Sequence, residues 1–330
     1  IFTMVKIEIG KNEQNQRLDK FLRKYLANAP LSFIYKAIRK DVKVNGKRGK
    51  EDTLLQLGDE VTLYISETDM EKFRKERRGG RVKRQFSIAY EDENILAAVK
   101  PYGLLTHGDS REKKNHLANQ VIDYLIEKGD YNPRIEKTFT PAPVNRLDRN
   151  TTGLVLFGKN NPALQELNRL IRETGQIRKF YLTIVSGTMK NPLHLFGSMV
   201  KDTEKNRITV LPGESGQRQM ETVAEPLEYG IWRGRPFTLV KVEIITGRTH
   251  QIRAHLADAG FSVIGDAKYG DRRVNHLAAK DFDLHAQLLH AYQLDFEQCA
   301  GELSYLSGKV IKAELGADFE RIKKQIFEQD

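Results

Sequence analysis

The chain has 330 residues, 39% hydrophobic and 30% charged, which is the balance of a soluble globular protein with length for more than one domain. No apolar run approaches the roughly 20 residues of a membrane span, the N-terminus lacks the basic-then-apolar pattern of a secretory signal, and one cysteine, Cys299, excludes an internal disulfide or a cysteine metal cluster, so a reducing cytoplasm is the expected compartment. The net charge of +10 is concentrated: residues 4–65 carry +5, residues 66–85 carry +4, and the remainder only +1. A basic segment ahead of a near-neutral body predicts a polyanion-binding appendage on a separate domain, against the plainer reading of a solvated face.

Ile1-Phe2-Thr3 precede Met4 and are read as a remnant ahead of the natural start. Val5–Ile9 alternates apolar and polar residues and predicts a short strand. Leu18, Phe21, Leu22 and Tyr25 recur at helical spacing, Ala29-Pro30 breaks the pattern, and a second helix runs through Phe33, Ile34, Ala37 and Ile38. Val42–Lys47 contains Asn45-Gly46 and predicts a tight hairpin, followed by a strand at Val61–Ile65. Residues 66–85, few of them apolar and including Arg77-Arg78-Gly79-Gly80-Arg81, read as a basic linker between a unit at 4–65 and a body at 86–330.

The body opens with two strands in Phe86–Lys100 around the turn Glu91–Asn94. Further strands are predicted at Gly153–Gly158, Lys179–Ser186, Ile208–Leu211 and Thr238–Ile245, and helices at Leu117–Glu127, Ala163–Thr174 and Ala317–Phe327. This mixture predicts an α+β fold with a large, mostly antiparallel sheet.

Four segments carry candidate chemistry. Lys100-Pro101-Tyr102-Gly103-Leu104 is a turn after a buried strand. Asn145-Arg146-Leu147-Asp148-Arg149-Asn150-Thr151-Thr152-Gly153-Leu154 packs two arginines around one aspartate, which alone reads equally as a salt-bridged loop. Arg178–Gly187 is a strand with a basic entrance, in which Tyr181 reads first as a core residue. Thr246-Gly247-Arg248-Thr249-His250-Gln251-Ile252-Arg253-Ala254-His255 is followed by Gly265-Asp266-Ala267-Lys268-Tyr269-Gly270. His250 and His255, five apart with no carboxylate nearby, do not have metal-ligand spacing, so no metal is expected.

Taken in order, Arg-Leu-Asp-Arg, Lys-x-Tyr, Thr-Gly-Arg-Thr-His-Gln-Ile-Arg-x-His, Gly-Asp-x-x-Tyr-Gly and the closing Leu289-His290-Ala291-Tyr292 resemble the RluA family of RNA pseudouridine synthases over roughly Phe86–Phe296. Arg17-Leu18-Asp19-Lys20-Phe21-Leu22, with Val44-Asn45-Gly46 and Gly58-Asp59, is similar to the S-four-like RNA-binding domain. Asn145 departs from the pattern, standing where the family commonly has histidine. The resemblance implies a pseudouridine-synthase catalytic domain behind a small α/β S-four-like RNA-binding domain. The implied partner is RNA, in first place large-subunit ribosomal RNA or its assembly intermediates, with tRNA as the alternative substrate and a non-catalytic RNA-binding assembly factor as the rival role. A monomer with no cofactor and no membrane partner is expected.

The resemblance also implies roles. The target base lies inside folded RNA, so its nucleotide must be flipped out first. Asp148 is the implied essential carboxylate, attacking the ribose or removing a ribose proton. Arg253, rather than Arg248, is its implied partner, with a planar fork able to hold a carboxylate bidentately. Tyr181 would stack on the flipped base, and Arg146, two residues from Asp148, would wedge into the vacated stack. Arg149, Lys179 and Arg178 are expected at phosphates and Arg248 at RNA, while Arg17, Lys20, Arg39 and Lys43 of the appendage supply affinity.

Overall fold

The computed structural model describes residues 2–75, 81–213 and 218–328. The run Arg77-Arg78-Gly79-Gly80 singled out in the sequence lies outside the described residues, as does Ile1. The N-terminal unit is built on a four-stranded antiparallel sheet, ordered Phe2–Glu8, Glu60–Ser66, Val42–Val44, Lys47–Arg48. Its hairpin turns at Asn45 (φ 51°) and Gly46 (φ 76°), the two left-handed residues that an Asn-Gly turn requires. The Asn45 amide locks the turn, with Nδ2 donating to Asp59 Oδ1 at 2.8 Å and Oδ1 accepting from the Glu60 N–H at 2.8 Å.

Helices Leu18–Tyr25 and Leu31–Lys40 close one face of this sheet, the second starting directly after Pro30. Phe21, Leu22, Ile34 and Ile38 meet Val42, Val61 and Leu63 in a core separate from that of the body. The segment read as a linker begins with structure: Glu67–Phe73 is a helix capped by Ser66 Oγ, and Phe73 is buried against Phe33 with ring centroids 4.6 Å apart.

The body is a mixed α+β structure around an 11-stranded sheet. Nine strands run in the order Arg207–Leu211, Leu193–Asp202, Arg218–Trp232, Arg235–Ile244, Ile177–Ser186, Leu289–Phe296, Thr152–Gly158, Ile95–Lys100, Ser87–Glu91. Every pairing along this path is antiparallel except that of Thr152–Gly158 with Leu289–Phe296. Helices Leu117–Lys128 and Gln251–Asp258 pack one region of the sheet, Asn161–Arg172 a second, and Arg272–Phe282 with Ala317–Phe327 a third. The long strand Arg218–Trp232 and helix Arg272–Phe282 were not expected from the sequence; the predicted strands and the three predicted helices are present with ends shifted by a few residues.

The unit and the body touch through specific polar contacts. Asn12 donates to Glu136 Oε1 at 3.0 Å and accepts the Asn161 N–H at 3.0 Å. Glu13 accepts from Lys137 Nζ at 3.1 Å, and Lys75 Nζ donates to Thr140 Oγ1 at 2.9 Å.

Candidate active site

Three of the four segments line one cavity of about 800 Å³, within the range of small-ligand pockets, and the first, Lys100–Leu104, supports it from behind through Lys100. Asp148, Tyr181 and Arg253 line it, as do Arg146, Arg149, Lys179 and Arg248. Arg17, Lys20, Arg39 and Lys43 do not; they are exposed on the N-terminal unit, and Arg17 forks onto Asp19 with two hydrogen bonds of 3.1 Å. Arg178 lies off the cavity, forked onto Glu243 at 2.9 Å through each of Nε and Nη2.

The loop that presents Asp148 is held from three sides. Beneath it, the fully buried Lys100 donates from Nζ to the carbonyls of Pro101 (3.1 Å), Leu104 (2.6 Å) and Arg149 (2.8 Å). Burial pulls the Lys100 pKa down to about 7, against the pull of the Asp148 charge. Beside the loop, the buried Thr106 hydroxyl donates to the Leu147 carbonyl at 3.0 Å and accepts the Leu147 N–H at 3.2 Å. Behind it, Asn145 donates to Leu154 O at 3.2 Å and accepts the Leu156 N–H at 2.9 Å, so the amide that departs from the family pattern ties the loop to strand Thr152–Gly158. The loop closes with the Thr151 N–H on Asp148 O at 3.0 Å and enters the strand at Gly153, whose φ of 117° and whose contact with the neighbouring strand admit no side chain: a Cβ there would lie 2.1 Å from Ala291 O.

Tyr181 sits on strand Ile177–Ser186 beside a register shift between Phe180 and Tyr181 against Leu289–Phe296. The extra residue of this bulge is Tyr292, on the facing strand. Tyr181 is buried among apolar residues and also lines the cavity. Burial, with the Asp148 charge second, pushes its pKa well above the ordinary tyrosine value and keeps the hydroxyl protonated. Lys179, two residues earlier on the strand, has its pKa lowered by burial.

Helix Gln251–Asp258 presents Arg253, and the turn before it is stitched by Gln251. The Gln251 Oε1 accepts from Thr246 Oγ1 at 2.8 Å and the Arg248 N–H at 3.0 Å, while Nε2 donates to Glu221 O at 2.8 Å. Here the geometry corrects an expectation. The Arg253 fork is taken by Asp266, with Nε to Oδ2 at 2.7 Å and Nη2 to Oδ1 at 2.9 Å, and Asp148 receives one hydrogen bond, from Nη1 to Oδ2 at 3.0 Å. Asp266 is fully buried and also accepts the N–H groups of Lys268 (2.9 Å) and Tyr269 (3.1 Å). Burial alone would raise the Asp266 pKa, but the hydrogen bonds and charge of Arg253, then the two N–H groups, hold it below the usual carboxylate value. Arg248 points elsewhere, its Nε donating to Gln219 O at 3.2 Å.

His250 completes the arrangement from a left-handed backbone position, φ 53°. The Tyr269 oxygen accepts the Ile208 N–H at 2.8 Å, which directs its own proton to His250 Nδ1, 2.9 Å away. The imidazole proton then belongs on Nε2, 3.8 Å from Asp148 Oδ2. Burial lowers the His250 pKa although the Asp148 charge opposes it, so the ring is neutral near pH 7. Arg253 and His250 thus both lie on the Oδ2 side, and among the described residues none hydrogen-bonds Oδ1, which is the oxygen left for a substrate. His255 faces away, with Nδ1 2.9 Å from Thr222 Oγ1.

Sequence reasoning assigned no role to Thr106, Lys100, Asp266 or Tyr269. The last two lie in the quoted Gly-Asp-x-x-Tyr-Gly run, and the signal for Thr106 was a polar residue between apolar Leu105 and the loop, in a stretch that carried no recognisable motif. The hairpin of Leu193–Asp202 and Arg207–Leu211 brings Lys201 and Asn206 to the cavity, tied down by Lys268 Nζ on Asn206 O at 2.8 Å.

A family model described as RNA pseudouridylate synthase matches residues 94–258. The ribosomal large subunit pseudouridine synthase C of Vibrio vulnificus (strain CMCP6) is 31% identical over 325 residues, 97% of this chain and 96% of that relative. The protein of the same name from Escherichia coli (strain K12) is 34% identical over 301 residues, 88% of each chain. Among solved structures, Human RNA Pseudouridylate Synthase Domain Containing 1 shares the fold with a TM-score of 0.51 at 21% identity, covering 75% of this chain and 96% of that one.

Proposed function

This chain belongs to the RNA pseudouridylate synthase family, and on that premise we propose that it isomerises uridine to pseudouridine in large-subunit ribosomal RNA, with Asp148 as the catalytic carboxylate. The observation that carries the assignment of Asp148 is its anchoring: one oxygen is held by Arg253 at 3.0 Å, the other is left open, and the cavity around them is lined by Tyr181 and by cations.

In this reaction the C1′–N1 bond breaks, the base turns, a C1′–C5 bond forms, and a proton leaves C5 while N1 gains one. No electrons are exchanged with a second reactant. Asp148 attacks the ribose or removes a ribose proton through Oδ1; Arg253 keeps Oδ2 in place and stabilises its charge, with the His250 Nε2 3.8 Å away on the same side. The protonated Tyr181 offers a ring face to the flipped base. Arg146, exposed two residues from Asp148, fills the stack that the nucleotide vacates, and Arg149, Lys179 and Arg248 meet the backbone around it. The N-terminal unit, with Arg17, Lys20, Arg39 and Lys43 exposed, serves as the RNA-binding appendage. A single chain in the cytoplasm is the working unit of this reading.

Asp148→Asn is expected to lower turnover by about 10³-fold or more while leaving RNA affinity within about twofold. Pseudouridine mapping of RNA from cells lacking the protein, complemented with wild type or Asp148→Asn, tests both parts. Loss of specific large-subunit ribosomal marks that only wild type restores supports the reading; loss from tRNA would move the substrate; unchanged marks in both RNAs would refute it.

A further inference from the structure

We propose that the cleft between the N-terminal unit and the body is a second RNA subsite, which takes the ribose-phosphate backbone of the strand leading to the catalytic cavity; this rests on RNA being the substrate. The cleft encloses about 390 Å³, and among the described residues its lining includes Arg23, Lys24 and Lys75 and no carboxylate. Lys75 reaches across the cleft to Thr140 Oγ1, so its charge sits at the junction of the two parts. Lys24 has its pKa lowered by burial and by neighbouring Lys20, the situation of a cation whose charge an incoming phosphate would offset.

The second observation is a pair of uncompensated polar atoms. Gln16, only 6% exposed, lines the cleft; its Nε2 is committed to the carbonyls of Asn12 (3.4 Å) and Glu13 (3.2 Å), and its Oε1 is buried without a hydrogen-bond partner among the described residues. Thr138 lines the cleft from the side of the body, and its Oγ1 is likewise buried without a partner. A buried acceptor without a donor is costly, which points to a ligand that brings one. Cations for phosphate, an amide oxygen for a hydroxyl donor and a hydroxyl able to donate or accept match one repeating unit, phosphate plus ribose 2′-OH.

The cleft is also on the way to the reaction centre. Helix Asn161–Arg172 lines the cleft at Leu164 and the catalytic cavity at Ile171. Seven residues of helix span about 10 Å, a distance that a short stretch of nucleotide backbone bridges. Segment Thr138–Thr140 on the cleft continues within a few residues into Val144 and Asn145 on the cavity.

The test compares binding of a short fluorescent oligouridylate with binding of its all-2′-deoxy counterpart. Wild type is expected to prefer the ribose form. Thr138→Val, which conserves shape, and Gln16→Leu should each cut that preference by about fivefold, the worth of one hydrogen bond. Lys24→Ala and Lys75→Ala should each lower the log–log salt slope by about 0.7, the share of one phosphate contact on a single strand. The maximal rate on a saturating large-subunit ribosomal RNA transcript should stay unchanged in all four variants. If the ribose preference is unaltered in Thr138→Val and the salt slopes are unaltered in both lysine variants, there is no such subsite. If uridine 5′-monophosphate protects Lys24 and Lys75 from acylation and the oligouridylate does not, the cleft serves a free nucleotide and the RNA track is overturned. Failure of wild type to form pseudouridine on the transcript would instead strike the functional reading itself.

Discussion

Replacing Arg253 by lysine separates charge from geometry at the carboxylate. The guanidinium uses three nitrogens on two aspartates: Nε and Nη2 on Asp266, Nη1 on Asp148. An ammonium on a shorter stem keeps the positive charge but cannot retain the fork on Asp266 while also reaching Asp148. Charge-assisted hydrogen bonds are worth about 1.5–3 kcal/mol each. The bonds to Asp266 are made in the protein without RNA, so their loss appears as stability. The bond to Asp148 positions the reacting group, so its loss appears in the chemical step, where 1.5–3 kcal/mol is about a 10- to 150-fold fall in rate. Because C5 loses its hydrogen when it bonds to the ribose, single-turnover release of tritium from RNA labelled at uridine C5 reads that step directly. RNA affinity, measured separately, should change by less than about threefold. If Arg253→Lys released tritium at the wild-type rate, the anchoring of Asp148 through one guanidinium nitrogen would not matter, and the mechanism drawn from the geometry would be wrong.

Three further outcomes follow from the same structure. The Lys100 pKa is depressed from 10.5 to about 7 in the folded state, so between those values the unfolded chain holds a proton that the folded chain has released; stability should rise with pH over that window by up to about 1.4 kcal/mol per pH unit, and urea unfolding of Lys100→Met should lack this component. An equal pH slope in both proteins would contradict the assignment. Gly153→Ala forces a Cβ to 2.1 Å from Ala291 O at a φ of 117°, and a thermal melt should show destabilisation of about 2–5 kcal/mol; a neutral melt would mean that the two strands separate easily. Arg39→Ala and Lys43→Ala should weaken RNA binding and flatten its salt dependence without slowing tritium release at saturation; a slower release would tie these residues to catalysis instead.

The sequence carried the fold where a single periodicity dominated. Phe21, Leu22, Ile34 and Ile38 mark two helices through one buried stripe each, and Asn45-Gly46 marks its hairpin through backbone geometry alone. It failed where the buried face is only weakly apolar: Arg218–Trp232 is a 15-residue strand that buries Met220, Thr222 and Ala224 in alternation, is interrupted by a register shift between Pro226 and Glu228, and exposes Tyr229 and Ile231. Helix Arg272–Phe282 buries Val274, Ala278 and Phe282 at a clean four-residue spacing, but too few residues to stand out among its charges. In the site, local motifs identified which residues meet, because each motif is contiguous. They could not identify how Arg253 divides its nitrogens, because Asp148 lies 105 residues away and Asp266 reaches the same guanidinium from a separate loop. Thr106 was invisible for the same reason: its partner is the backbone of a residue 41 positions on.

Strand Leu289–Phe296 has a consequence for timing. It lies between Thr152–Gly158, which follows Asp148, and Ile177–Ser186, which bears Tyr181, and it hydrogen-bonds to both. A nascent chain that has emerged only as far as residue 288 holds Asp148, Tyr181 and Arg253 and lacks the strand that joins them into one sheet. Contacts of such long sequence separation form late and slowly. The N-terminal unit has its own core, and on the role proposed for it would engage RNA while translation is still under way. RNA capture would then precede reactivity during synthesis, and a truncated product would hold RNA without modifying it.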